Sequence, residues 1–260
     1  MLKVKILEKK GPVLKFLVED IDTSLANSLR RIMITDIPTL AVQWIDVHDN
    51  NSALFDEVIS HRLGLVPLKF NAKNMNFTED CTCKGKGCPL CQTVLVLDKK
   101  GPCIVTTGDL KSSDKSVAPS DPRFPITELL EKQSLKLEAV ARLGTGASHA
   151  KHQAANASYQ YYPKIKVTGT KADADRALKM CPKGSAEVKG NAIEVRNLSD
   201  SDTVKSCLFD AKGIEVGNDE SRIIFTVESI SGLEPEYIVS KAAEILQAKA
   251  EDLKKHISKL

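Results

Sequence analysis

VSKAAEILQAKAEDLKKHISKL, residues 239–260, carries its apolar side chains at Val239, Ala243, Leu246, Ala250, Leu253, Ile257 and Leu260, in alternating steps of four and three. An α-helix turns once per ~3.6 residues, so such steps align these positions into one seam. Charged residues such as Lys241, Glu251 and Lys254 fall between them and give the helix a solvated face. A seam of this kind demands a matching apolar stripe. The pattern alone does not say whether that stripe belongs to this chain or to another.

Around the seam lie 260 residues, enough for one large domain or two modest ones at the usual ~100–200 residues each. With 42% hydrophobic and 27% charged residues the composition is that of a globular protein, which excludes a disordered or fibrous chain. The 37 Lys and Arg are spread among 34 Asp and Glu for a net charge of +3, so no basic block is present to grip nucleic acid by charge. No uninterrupted apolar run approaches the ~18 residues of a membrane span. The N-terminal MLKVKILEKKG alternates Leu2, Val4 and Ile6 with lysines, as a strand does and a secretory leader does not. Seven cysteines, odd in number and partly clustered, fit a reducing compartment better than a secreted disulfide framework. These features predict a cytoplasmic protein with no membrane association.

Residues 2–7 and 12–18 predict a β-hairpin joined by the turn-like EKKG, 8–11. In DIDTSLANSLRRIMITDIP, 20–38, Asp22, Thr23 or Ser24 can cap a helix on which Leu25, Leu29 and Ile32 recur at helical spacing, and Pro38 ends it. Arg30 and Arg31 on that helix read by default as a solvated face, or else as partners for acidic groups of another protein. Residues 39–47 predict a strand, and FDEVISHRLGLVPL, 55–68, a short helix broken at Gly64 and Pro67. Strands are expected at 93–98 and 103–108, with a polar loop at 111–125. Cys103, in an apolar strand, reads as a small core residue. Residues 169–215 change in texture, with a short helix at 171–180, turns at 181–184 and a brief strand at 192–195, and read as a small inserted module.

CTCKGKGCPLCQ, 81–92, places Cys81, Cys83, Cys88 and Cys91 in CxC and CxxC pairs separated by four residues. Four thiolates so close in sequence can surround one Zn²⁺ tetrahedrally, Gly85 and Gly87 permit the positive φ of a tight wrap, and Pro89 stiffens the second pair. Lys84 and Lys86 offset the charge of such a centre. A structural zinc site is preferred over an empty thiol loop, and the bacterial ferredoxin spacing does not match. With four protein ligands no position remains for water or substrate, so the ion would be a staple.

No phosphate loop, nucleophile elbow or HExxH motif is present. GTGASHAKH, 144–152, has His149 where a third glycine would stand, and His149 and His152 read as surface or interface histidines rather than metal ligands. The sequence predicts no catalytic residues.

NSLRRIMITDIPTLAV (27–42), DEVISHRLGLVPL (56–68), the cysteine loop, LEAVARLGTGASHAKHQ (137–153) and the terminal helix, in this order, resemble the alpha-type assembly subunits of multisubunit RNA polymerases. This is the family of the archaeal D subunits and of the third subunit of the eukaryotic enzymes. The resemblance implies an α+β fold. A discontinuous dimerisation domain would comprise 1–40 and 224–260, an inserted β-rich domain with the cysteine loop 41–168 and 214–223, and a small ferredoxin-like insertion 169–213. It places Leu25, Leu29 and the Val239–Leu260 seam against a small L-type subunit, and turns Arg30 and Arg31 toward the second-largest subunit. It also implies association with the largest subunit and with two small zinc-binding subunits, contact with DNA only through the assembled complex, and nucleotidyl transfer carried out on other chains. Eukaryotic members carry a zinc loop of CxC and CxxC pairs, with a different gap.

Many archaeal members hold iron–sulfur clusters in the insertion. Here only Cys181 and Cys207 remain there, and with Cys207 as third ligand the other positions of the run fall on Ser201, Val204 and Ala211. The expectation is a module that keeps its fold without its cluster. Two other readings are a zinc-dependent nucleic-acid-binding module and a ferredoxin-like redox protein. The first would surround the loop with basic and aromatic residues, yet only Lys84 and Lys86 flank it and aromatics make up 5% of the chain. The second lacks the cysteines.

Overall fold

The computed structural model describes residues 2–196 and 198–259. In chain order these form β1 (Lys3–Lys10), β2 (Val13–Glu19), α1 (Thr23–Thr35), β3 (Thr39–Asn50), α2 (Asp56–Gly64), β4 (Leu68–Lys69), β5 (Gln92–Lys100), β6 (Cys103–Thr106), β7 (Lys111–Ser112), β8 (Ala118–Pro119), β9 (Pro125–Leu129), β10 (Ser134–Gly144), β11 (Ala155–Val167), α3 (Lys171–Leu178), β12 (Ala186–Lys189), β13 (Ala192–Val195), α4 (Ser201–Leu208), β14 (Ile214–Ser229) and α5 (Pro235–Ile257). The chain divides into two compact units, 1–30 with 157–228 and 31–156 with 229–260. Among the described residues no helix is long and apolar enough to cross a membrane.

The first unit is built on a six-stranded sheet in the order β1-β2-β14-β11-β13-β12. The predicted hairpin is present, but Glu8 and Lys10 extend the strand instead of turning. A bulge between Ile6 and Glu8 restores the register, the Lys15 ammonium lies 3.4 Å from the Glu8 carboxylate, and the turn is made at Gly11 with φ of +54°. β2 buries Leu14, Phe16 and Val18 and pairs antiparallel with β14, where Phe225 stacks on Phe16 at 5.1 Å between ring centroids. At the far end of the sheet α3, β12, β13 and α4 enclose a small core of Ile165, Ala177, Ile193, Val204 and Leu208.

The second unit carries a four-stranded antiparallel sheet in the order β3-β10-β5-β7. Leu95, Leu97, Leu135 and Leu137 alternate inward from β5 and β10, and α2 covers them with Ile59 and Leu63, all fully buried. Ahead of α5, Gly232 lies against β4 so closely that a Cβ there would stand 2.0 Å from the Leu68 carbonyl oxygen. Only glycine permits that approach. The helix then starts with Pro235 at its first turn.

These units do not follow the boundaries expected from the sequence. Residues 155–167 and 214–223, expected with 41–154, pair in the sheet of the N-terminal hairpin, and 229–260 group with 31–156. A strand's alternation says which face is apolar but not which distant strand it will join. α4 also had no counterpart in the sequence reading, because Ser201, Asp202 and Thr203 punctuate its first turn with residues that favour caps and turns. The histidine reading is corrected at His152, which is 3% exposed and sits in the interior with Nδ1 3.1 Å from the Thr39 carbonyl. The glycines near it serve packing: a Cβ on Gly144 would meet the His152 ring at 2.6 Å, and one on Gly146 the Ile34 carbonyl at 2.3 Å.

Candidate metal centre and partner interface

The four clustered cysteines occupy a loop that leads into β5 and is closed by its own backbone. Lys84 N–H donates to the Cys81 carbonyl at 2.9 Å and Lys86 N–H to that of Cys83 at 3.2 Å, while Cys91 and Gln92 both donate to the Cys88 carbonyl. Gly85 and Gly87 adopt φ of +81° and +83°, as the wrap requires. Sheet residues anchor the exit of the loop. Gln92 Oε1 accepts from Arg142 Nη2 at 2.8 Å and Nε at 3.2 Å, and the Arg142 guanidinium lies over the Trp44 ring at 4.3 Å from its centroid.

The sulfurs of Cys81, Cys83, Cys88 and Cys91 all lie within 4.8 Å of one another. Cys81 and Cys88 are 3.5 Å apart, Cys83 and Cys91 3.6 Å, and Cys88 and Cys91 3.9 Å. A tetrahedron with metal–sulfur bonds of ~2.3 Å has edges of ~3.8 Å, so the quartet has the dimensions of a metal cage. The Cys88 N–H also donates to Cys91 Sγ at 3.4 Å, a bond that favours a thiolate.

Without a cation the thiols of Cys83, Cys88 and Cys91 shift in opposite directions. Burial opposes charge on Cys83, but hydrogen bonds with Cys81 and Cys91 outweigh it and bring its pKa down to about 6. Burial pushes the Cys91 thiol up to about 12. At Cys88 the Leu90 N–H favours the thiolate, yet the Cys81 thiol and burial leave it raised. A divalent cation among them removes the mutual repulsion. This quartet can hold a metal ion.

The insertion is different. Cys181, Val204 and Ala211 are buried in its core and Cys207 packs against them, with Ser201 fully buried nearby. The positions of the expected ligand run are thus filled by apolar packing and a hydroxyl. Two thiols do not complete a cubane, and the residues present do not fit that group.

On α1, Asp22 Oδ1 accepts the Leu25 N–H at 2.7 Å and so selects Asp22 among the candidate caps. Ala26, Ile32 and Met33 are buried, whereas Leu25, Leu29 and Arg30 are half-buried and Arg31 is exposed. Arg30 Nε and Nη2 donate to Asn27 Oδ1 at 3.1 and 3.0 Å.

On α5 the buried residues are Pro235, Ile238 and Ala242, a stripe at three- and four-residue spacing that the sequence reading missed beside the stronger seam. Of the seam itself, Val239 and Leu246 are half-buried, Ala243 and Ala250 exposed, Leu253 61% exposed and Ile257 60%. Leu260 lies outside the described residues. Every residue of α5 from Gln247 onward is exposed. The helix thus docks on this chain by its first turns and offers the seam of its last three turns to solvent. β1 leaves a second apolar row uncovered, with Leu2, Val4 and Ile6 51%, 66% and 61% exposed.

The family model described as the RNA polymerase Rpb3/Rpb11 dimerisation domain matches residues 15–250. The chain is 36% identical to the DNA-directed RNA polymerase subunit Rpo3 of Archaeoglobus fulgidus, over 100% of this chain and 99% of that one. It is likewise 36% identical to the Rpo3 of Thermococcus kodakarensis, over 100% and 99%, and 34% identical to that of Methanosphaera stadtmanae, over 97% of each. The matches cover nearly the whole chain, and the chain belongs to the RNA polymerase Rpb3/Rpb11 dimerisation-domain family.

Proposed function

We infer that this chain is a non-catalytic assembly subunit of DNA-directed RNA polymerase, which pairs with a small L-type subunit and then receives the large ones. The observation that carries this reading is the uncovered seam of α5, with Leu253 and Ile257 standing in solvent on a helix whose first turns are already docked. Apolar rows of this length on a soluble chain mark a surface made to be covered. The seam residues Val239, Ala243, Leu246, Ala250, Leu253, Ile257 and Leu260, and separately Leu25 and Leu29 of α1, are assigned to contacts with the small subunit. Arg30 and Arg31 are assigned to the second-largest subunit, where acidic groups would meet them. Full-length relatives named as polymerase subunits support the same reading.

The metal assigned to Cys81, Cys83, Cys88 and Cys91 is Zn²⁺. Its role is structural, since four thiolates complete its coordination and leave no open position. A sulfur-only donor set is also the wrong chemistry for the Mg²⁺ of nucleotidyl transfer, which takes oxygen ligands. Transfer is therefore assigned to other chains of the complex, and DNA reaches this subunit only through that complex. The largest subunit and two small zinc-binding subunits complete the proposed partners, in the cytoplasm. The nucleic-acid-module and redox alternatives are not favoured by the relatives.

Co-expression tests the assignment. The chain expressed alone should self-associate, and with the small subunit it should run as a one-to-one heterodimer in sedimentation. A monodisperse monomer at low micromolar concentration that ignores the small subunit would sink it.

A further inference from the structure

The four loop sulfurs belong to two arms, and the closest pairs run from one arm to the other. Cys81 Sγ stands 3.5 Å from Cys88 Sγ and Cys83 Sγ 3.6 Å from Cys91 Sγ, against 3.9 Å between Cys88 and Cys91 on one arm. The turn between the arms holds Lys84, Gly85 and Gly87 at φ of +53°, +81° and +83°, which folds the CxC arm onto the CxxC arm. Exposure divides the sulfurs in the same way. Cys83 and Cys88 are half-buried, whereas Cys81 is 5% exposed and Cys91 fully buried. Each crossed pair therefore sets a thiol that solvent reaches against one that it does not. Cys88 also lines an open cavity of about 560 Å³ with Gly87, Gln92, Thr93 and Ser113, room enough for a small oxidant.

We propose that the quartet is a peroxide-reactive site whose sulfurs close crosswise, Cys81 with Cys88 and Cys83 with Cys91, so that the loop holds metal only in its reduced state. The last clause rests on the assignment of a metal to these residues; the closure itself does not. In each pair the half-buried thiol loses its proton and its thiolate attacks hydrogen peroxide. The S–O bond forms, the O–O bond breaks, and hydroxide leaves. The buried partner gives its proton to that hydroxide, and its thiolate attacks the sulfenic sulfur. The S–S bond forms, and a second hydroxide leaves and takes up the proton that the first thiol released. In balance, two thiols are oxidised to one disulfide and one peroxide is reduced to two waters. The loop does this twice.

Proximity favours the disulfide over a standing sulfenic acid. A disulfide bond is ~2.05 Å long, so the sulfurs of each crossed pair need to approach by only about 1.5 Å. Closure removes all four ligands, because a disulfide sulfur carries no thiolate charge and the thiolate is the form that binds zinc.

Peptide mapping of the full-length chain tests the site. Trypsin cuts after Lys73, Lys84, Lys86 and Lys99, which places Cys81 and Cys83 in 74–84 and Cys88 and Cys91 in 87–99. Cys103, Cys181 and Cys207 fall in 101–111, 180–183 and 206–212, outside both peptides. Reduced, metal-free protein is treated with two equivalents of hydrogen peroxide, alkylated and digested. The expected product is 74–84 joined to 87–99, with all four loop thiols lost to alkylation and regained on reduction. Fragmentation at Pro89, which parts Cys88 from Cys91, should assign the 81–88 and 83–91 bonds. In Cys88→Ser the join should persist through the 83–91 bond alone, with Cys81 open to alkylation. Zinc-loaded protein should give the same product and release its ion to a chromogenic chelator in step with the disulfides. The proposal is overturned if the two peptides separate with internal disulfides, if the bonds are 81–91 and 83–88, or if all four loop thiols stay open to alkylation. Crossed disulfides in a protein that binds no zinc would sink the metal assignment and keep the closure. Bound zinc on a quartet that resists peroxide even when stripped of metal would do the reverse.

Discussion

Lys249 Nζ donates to Asp36 Oδ2 at 2.5 Å, which ties the middle of α5 to the residue that follows α1. Beyond this bond the helix has no buried residue. The bond thus stands at the border between the part of α5 that this chain holds and the part it offers.

Asp36→Asn should loosen that border at modest cost. Burial raises the Asp36 pKa, but the Lys249 and Thr35 hydrogen bonds outweigh it and leave the carboxyl below its ordinary range. A depressed carboxylate contributes stability above its unfolded pKa, and that contribution is lost as pH falls through the folded value. Lys249 is 61% exposed, so screening limits the pair to about 0.5–1 kcal/mol. Urea unfolding at neutral pH should register this loss in Asp36→Asn, and the difference between variant and parent should vanish in acid.

The two stripes of α5 should respond in opposite ways. Leu253→Asp with Ile257→Asp touches only exposed positions and should leave the stability of the free chain within about 0.5 kcal/mol. Each side chain would lose ~1.5–3 kcal/mol of burial in a heterodimer, so affinity for the small subunit should fall by at least about 100-fold. Ile238→Ala, in the buried stripe, should instead cost the free chain ~2–4 kcal/mol. Calorimetry of binding beside chemical denaturation separates the two. Equal affinity in the Leu253/Ile257 variant would remove the seam from the interface.

Metal analysis of the purified chain should return one zinc per molecule. Cys88→Ser with Cys91→Ser should abolish it and lower the melting temperature, since structural zinc contributes ~10–16 kcal/mol of apparent binding energy in small peptides. The far core around Leu135 and Leu137 should keep its amide protection while the 81–92 loop loses its own. Parent protein without metal, melting as the variant does, would mark the loop as empty.

His152 should make the second unit sensitive to mild acid. Burial lowers its pKa, the Thr39 carbonyl opposes that, and the charges of Lys151 and His149 add to the lowering. Below the unfolded histidine value of ~6.5 the unfolded chain takes up a proton that the folded one refuses, so stability falls as pH drops from 7 toward 5. In His152→Gln this slope should flatten. An imidazole that titrates normally by NMR would show that His152 is reached by water.

The sequence told most where structure is local. Asp22, Leu25 and Pro38 announced α1, the CxC and CxxC pairs announced a cage whose sulfurs do meet, and the three-four steps after Val239 announced α5. What it withheld was the choice of distant partners. Nothing in the alternation of Leu14, Phe16 and Val18 names β14 as their neighbour, and nothing around His152 reveals that Thr39 and Gly144 close over it. The split of α5 was hidden for a related reason. Ile238 and Ala242 lie one position from Val239 and Ala243, so two adjoining apolar stripes read as one until burial tells them apart.

The Phe16–Phe225 stack has a consequence for biosynthesis. Its two rings stand about 200 residues apart along the chain, and a ribosome adding ~5–20 residues per second needs roughly 10–40 s to supply the second after the first. Through that interval the N-terminal hairpin waits with a bare strand edge, the state in which nascent polypeptides adhere to one another. Only the arrival of β14, which pairs along β2 from Val13 to Glu19, closes that edge.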